Sequence, residues 1–136
     1  METIRRVEYF YVQVPDKPGE GARALATLRQ EGVNLLAYSG FPAGRKSQLD
    51  FVPADPMAFR QVAKKAKWKV KGPKRAFLIT GEDRLGAAAD LLEKLAGAKI
   101  NVTAMDAVCS GEGRYGAILW VKPAAFKKAA KTLGAE

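Results

Sequence analysis

Asp16-Lys17-Pro18-Gly19 returns 67 residues later as Asp83-Arg84-Leu85-Gly86, and Val33-Asn34 returns as Ile100-Asn101 at the same displacement. Outward from these anchors the register continues without a gap through Phe10/Phe77, Ala22/Ala89, Leu25/Leu92, Leu28/Leu95, Ala37/Ala104, Gly44/Gly111, Pro56/Pro123, Phe59/Phe126 and Ala63/Ala130. A chain of 136 residues that repeats itself once reads as a duplicated module. The repeat divides it into residues 1–72 and 73–136, units too small to bury a comfortable core alone and expected to bury surface against each other.

Periodicity gives the same elements in both copies. Val7 to Val14 alternates, with Phe10, Val12 and Val14 on one face, and Arg75 to Thr80 repeats the pattern with Phe77 and Ile79, so both are expected strands. Ala22, Leu25 and Leu28 follow helical spacing, as do Ala89, Leu92 and Leu95, and Gly32 suits a left-handed helix end. Val33 to Phe41 and Ile100 to Val108 read as extended. Turns at Pro42-Ala43-Gly44 and Ser110-Gly111-Glu112-Gly113 join them to strands at Leu49 to Val52 and Tyr115 to Val121, which makes two hairpins. After Asp55-Pro56 and Lys122-Pro123, the spacing of Phe59, Val62, Ala63 and of Phe126, Ala129, Ala130 predicts a second helix in each copy.

The order strand, helix, strand, strand, helix belongs to the α+β class, in the ferredoxin-like arrangement (βαββαβ) of an antiparallel sheet with helices on one face. One strand per unit is left to place. With Gly72-Pro73 read as a turn, Trp68 to Val70 is expected to pair with Ala76 to Ile79 and serve the second unit, while Thr3 to Arg5 serves the first.

Composition narrows the function. The chain has 23 Lys and Arg against 14 Asp and Glu, a formal net charge of +9, and no histidine. Basic residues gather at Arg60, Lys64, Lys65, Lys67, Lys69, Lys71, Lys74 and Arg75, and again at Lys122, Lys127, Lys128 and Lys131. Such runs read first as a solvated helix face and its flanks, and second as an invitation to a polyanion. The absence of histidine removes Ser-His and Cys-His nucleophile pairs, His-containing zinc sites and the commonest general base. No enzyme activity, cofactor or metal is expected. Hydrophobic and charged contents of 48% and 27% are those of a globular protein, and no apolar run approaches a membrane span. The single cysteine, Cys109, and a start lacking a signal-like apolar segment point to the cytoplasm.

Taken together, two copies of strand, Asp-Lys-Pro-Gly or Asp-Arg-Leu-Gly, helix, Gly-Val-Asn or Lys-Ile-Asn, strand resemble a tandem ACT domain, the small-molecule sensing module attached to many enzymes of amino-acid metabolism. The resemblance runs from about Val7 to Leu133, with Leu85 standing where the family usually has proline, as at Pro18. It implies a free-standing regulatory protein that binds a free amino acid and acts on a regulated enzyme partner. Site residues carried over by the resemblance are Asp16, Lys17, Pro18, Gly19, Asn34 and Leu35 in the first copy and Asp83, Arg84, Leu85, Gly86, Asn101 and Val102 in the second. The family's habit of holding ligand between modules implies Gly19 opposite Asn101 and Gly86 opposite Asn34.

The residues have chemistry suited to that role. Backbone N–H groups of the loop from Asp16 to Gly21, at a helix start, favour a carboxylate. Gly19 and Gly86 allow close approach. Asn34 and Asn101 both donate and accept. Asp16 and Asp83 can accept from an ammonium, although their structural role would be to cap the adjacent helix.

An alternative uses the same fold. Arg114-Tyr115-Gly116-Ala117-Ile118-Leu119-Trp120 partly matches the strand signature of RNA-recognition motifs, which places stacking aromatics on an open sheet. Alternation puts Tyr9, Tyr11, Leu78, Tyr115 and Leu119 on that face, with the Asp50 carboxylate among them in the first copy. Such a surface favours a sheet-to-sheet homodimer over a nucleic-acid platform. Three literal matches carry no function: Gly111 to Gly116 spells GxGxxG but opens a strand, Asn101-Val102-Thr103 is a sequon on a strand, and Cys109 lacks a histidine.

Overall fold

The computed structural model describes residues 2–136. The elements run β1 (Thr3–Pro15), α1 (Glu20–Gln30), β2 (Leu35–Ala43), β3 (Lys46–Pro53), α2 (Pro56–Lys65), β4 (Lys71–Glu82), α3 (Ala87–Gly97), β5 (Ala104–Gly111), β6 (Arg114–Trp120) and α4 (Pro123–Leu133). Helices α1 and α3 each start from a glycine in the left-handed region, Gly19 at φ 93° and Gly86 at φ 80°. A side chain at either position would strain the turn that aims the helix. Helix α2 begins with Asp55 accepting from the N–H groups of Met57 (3.0 Å) and Ala58 (3.2 Å), followed by Pro56. Helix α4 has Pro123 in its first turn but no side-chain cap.

The chain divides into two units. One is Glu8–Lys74; the other joins the residues up to Val7 with Arg75–Glu136. In the first, the strand order is β2-β3-β1-β4, and in the second β5-β6-β4-β1, because β1 and β4 each give one end to each unit. The 8–74 core gathers Phe10, Val12, Leu28, Leu49, Phe51, Phe59 and Val62, with Trp68 and Val70 packed against it. Phe10 stacks on Phe59 at 4.9 Å and Trp68 on Phe51 at 6.0 Å. The other core is more aliphatic, with Ile4, Ile79, Leu91, Leu95, Leu119 and Leu133 around the Phe77–Phe126 stack at 4.5 Å.

The expected assignment of the closing strands is reversed. Ile4 is buried with Phe77 and Ile79, and the backbone of Ile4 and Arg6 pairs with Glu136, whereas Trp68 and Val70 close the unit in which they occur. The cause is strand length. At 13 and 12 residues, β1 and β4 are about twice the usual strand, and β4 runs through Gly72-Pro73 where a turn was expected. A Cβ on Gly72 would lie 2.9 Å from the Tyr9 carbonyl oxygen, so glycine lets the strand pass.

A second difference lies in β6. Tyr38 faces Phe51 across the first hairpin, and its counterpart Met105 faces Leu119 across the second, so the facing residues are 68 apart rather than 67. An irregularity between Cys109 and Gly111 supplies the extra residue, and a one-residue slip turns every side chain of a strand to the other face. Tyr115, Ala117 and Leu119 therefore lie in the core. Neither Tyr115 nor Leu119 belongs to the open face, which removes Tyr115 as a stacking platform. Tyr9, Tyr11 and Leu78 do alternate away from the core residues Phe10, Val12, Phe77 and Ile79.

Candidate functional site

In the first copy the Asp16–Gly19 loop is exposed. Its aspartate does not cap α1: Asp16 Oδ1 accepts from Ser47 Oγ at 2.9 Å. Helix α1 instead carries Glu20 in its first turn, joined to Arg23, with Lys17 Nζ 4.0 Å away. In the second copy Asp83 does not cap α3 either. Its N–H donates to the Gly113 carbonyl at 2.8 Å, and its carboxylate, hydrogen-bonded to the Cys109 thiol, pushes that thiol's pKa up, with a further rise from burial. Arg84 donates to Asp90 Oδ2 at 2.6 Å, which raises the guanidinium pKa further. Leu85 is fully exposed. The capping role fails at both aspartates for one reason: a glycine in the left-handed conformation occupies the cap position three residues on, and it turns the chain before the carboxylate can reach the first-turn N–H groups.

Asn34 and Leu35 lie past the other end of α1, as Asn101 and Val102 lie past the other end of α3. Eleven residues of helix separate each pair from its loop, or about 16 Å. Within one unit, therefore, loop and asparagine cannot touch one small ligand. Asn34 is exposed and accepts from the Ala54 N–H through its carbonyl at 2.9 Å. With Leu35 it borders a shallow hollow of about 380 Å³ beside Arg29 and Gly32. Leu35 and Val102 are half-buried against their cores.

A groove of about 260 Å³ brings Asp83, Arg84 and Gly86 together with Ala88 on α3 and with Ala107, Val108 and Cys109 on β5. Its chemistry is a carboxylate, a cation and a thiol around an apolar floor. Tyr115 also borders it, its hydroxyl donating to Glu2 Oε2 at 2.6 Å. The Tyr115 pKa is pushed up to about 12, first by burial and then by that bond.

At the corresponding place in the 8–74 unit stands the ring of Tyr38, packed on Phe51 at 5.6 Å. A Cβ on Gly21 would lie 2.9 Å from the Tyr38 hydroxyl oxygen, and one on Gly40 3.3 Å from it. Under the 67-residue register, Gly21, Tyr38 and Gly40 correspond to Ala88, Met105 and Ala107. Sequence reasoning missed this trio. The signal was present in the repeat itself, as two glycines replaced by alanines on either side of a tyrosine replaced by methionine.

On the face of the 8–74 sheet away from its helices, Asp50 is 7% exposed and opposite Tyr11. Burial raises its pKa, while a 2.9 Å hydrogen bond from Gln48 and the charge of Lys74 oppose the rise. Among the described residues no helix is long and apolar enough to cross a membrane, and no cluster of three His, Cys, Asp or Glu forms that could hold a metal ion.

No protein-family model matches the chain, and no curated protein matches it. Solved structures do. The crystal structure of protein BT0572 from Bacteroides thetaiotaomicron aligns with 98% of this chain and 88% of its own at 16% identity, TM-score 0.78. The ligand-free regulatory subunit of aspartate kinase from Thermus thermophilus aligns with 98% of this chain and 94% of its own at 15% identity, TM-score 0.63. A structure of aspartokinase α and β subunits covers 97% and 93% at 15% identity, TM-score 0.63. These likenesses are of fold, and they support the α+β arrangement that the repeat implies.

Proposed function

We propose that this chain is a regulatory protein without catalytic activity that binds a free amino acid and conveys its occupancy to an enzyme partner. The observation that carries the reading is the match of nearly the whole chain, 98% of it, to a regulatory subunit of aspartate kinase. The lack of histidine agrees with a binding role. In the finer reading the ligand falls among the residues that the family resemblance implies, the loops Asp16–Gly19 and Asp83–Gly86 and the asparagines Asn34 and Asn101. Ligand binds one of two states of the chain more tightly and shifts the population toward it, which is all that regulation requires. The chain acts as a homodimer, joined through the sheet face that carries Tyr9, Tyr11 and Leu78.

Isothermal titration with the twenty proteinogenic amino acids tests the reading. One or a few are expected to bind and to raise the melting temperature by mass action. No binding by any of the twenty overturns it. Sedimentation velocity on the same protein tests the dimer.

A further inference from the structure

We propose that the two copies have diverged into one open ligand groove and one closed by its own side chain: the groove lined by Asp83, Arg84, Ala88, Ala107, Val108 and Cys109 takes the ligand, and Tyr38 fills its counterpart. This rests on the amino-acid-binding reading above and deepens it by assigning one site per chain and naming the residue that decides which copy has it.

The inference comes from a linked exchange of three residues. The Tyr38 hydroxyl oxygen lies 2.9 Å from where a Cβ on Gly21 would stand and 3.3 Å from one on Gly40, so glycine at both neighbours, Gly21 above all, leaves the tyrosine its space. At the counterparts, both alanine methyl groups are present, and the residue between them is Met105, packed against the core. Ala88 and Ala107, the counterparts of the two glycines, border the open groove of about 260 Å³. The same space thus holds a phenol group in one copy and remains accessible in the other. Gly21 is the second residue of α1, where glycine is a poorer helix former than alanine, and the room it gives Tyr38 is the compensation for that cost.

The aspartates differ in the same sense. Asp16 is engaged by Ser47 at 2.9 Å. Asp83 has the weaker thiol donor of Cys109 beside it at the groove and can exchange that donor for an ammonium. Arg84 holds Asp90 through one nitrogen at 2.6 Å and has further guanidinium N–H groups for a carboxylate, and Ala88, Ala107 and Val108 supply an apolar floor. The groove suits an α-amino acid with a small or branched aliphatic side chain.

Two measurements separate this inference from the reading beneath it. The first needs no ligand. Gly21→Ala is expected to raise the melting temperature by a few degrees in a Tyr38→Met background, where the helix gains without obstruction, and to give no rise or a fall in the native sequence. Equal rises in both overturn the closure by Tyr38. The second is titration with each of the twenty amino acids, read beside the rate at which iodoacetamide alkylates Cys109. The native chain is expected to bind one equivalent, with alkylation slowed at least threefold by the same amino acid, and Tyr38→Met to bind about two. Two equivalents in the native chain, or binding that leaves Cys109 alkylation unchanged, overturn the assignment. If no amino acid binds either protein while the Gly21–Tyr38 coupling is present, the amino-acid reading falls and Tyr38 remains only a groove filler.

Discussion

Tyr38 and Tyr115 solve the same packing problem from different strands. Tyr38, on β2, reaches past Gly21 and Gly40 in the 8–74 unit. Tyr115, on β6, sits opposite Gly81, where a Cβ would come within 2.7 Å of its ring. In the other copy the pair opposite each other at the same place is Val14 and Ser47. Each unit therefore trades a large residue on one element for glycine on its neighbour, and the glycines mark where a ring must pass rather than where the chain must bend. The difference has a functional edge. Tyr38 is held by ring packing on Phe51, whereas Tyr115 is held by a hydrogen bond to Glu2 from the far end of the chain, which makes one wall of the groove dependent on the N-terminal strand.

Deleting residues 2–7 is the most severe way to break that comparison. It removes the buried Ile4 side chain, the Glu2–Tyr115 bond and the backbone pairing with Glu136, a loss of roughly 3–5 kcal/mol. Hydrogen exchange is expected to show lost protection across Arg75–Glu136 with protection retained in Glu8–Lys74; loss shared equally by both would show that the units do not differ in this dependence. Gly81→Ala should cost about 1–3 kcal/mol by crowding the Tyr115 ring. Adding Tyr115→Ser, which restores the residue type of the other copy, should relieve the crowding, and chemical denaturation of the single and double variants measures the relief.

Tyr115→Phe is expected to cost about 1 kcal/mol at neutral pH. Its pH dependence has a definite sign. The folded state keeps the Tyr115 proton up to about 12, whereas the ordinary value is 10.0, so the stabilisation is complete below about 10 and disappears as pH rises through 12. The gap between the native chain and the Phe variant should narrow across that window in melting curves. The smallest contrast concerns the second helices. Asp55→Ala should lower stability by about 1 kcal/mol by removing the α2 cap. Lys122→Asp, which places the same residue before Pro123, should raise it by up to about 1 kcal/mol. No gain would mean that α4 starts in a geometry α2 does not share.

The repeat made the elements legible because helix and strand periods appear twice and check each other. The two failures have local causes. Alternation puts Tyr115 and Leu119 on the wrong face because one extra residue, in the irregularity between Cys109 and Gly111, is invisible when a repeat is aligned without gaps yet reverses a whole strand. The closing strands were exchanged because Gly72-Pro73 carries the composition of a turn but lies within β4, where close approach of the Tyr9 carbonyl rather than chain reversal demands glycine. The candidate site was legible as two loops. It was not legible as a groove, since the residues that decide whether the space is open, Tyr38 and Met105, carry no motif and matter only through the glycines or alanines beside them.

The hydrogen bonds from the Arg6 N–H to the Glu136 carbonyl at 3.0 Å and from the Glu136 N–H to the Ile4 carbonyl at 2.9 Å hold Glu136 beside the start of β1. A short linker from Glu136 to Glu2, with the backbone opened between Lys74 and Arg75, would therefore write the molecule in a new order, in which each unit is an uninterrupted stretch of sequence. Such a permutant would make contiguous the unit that now draws on two separate stretches of sequence.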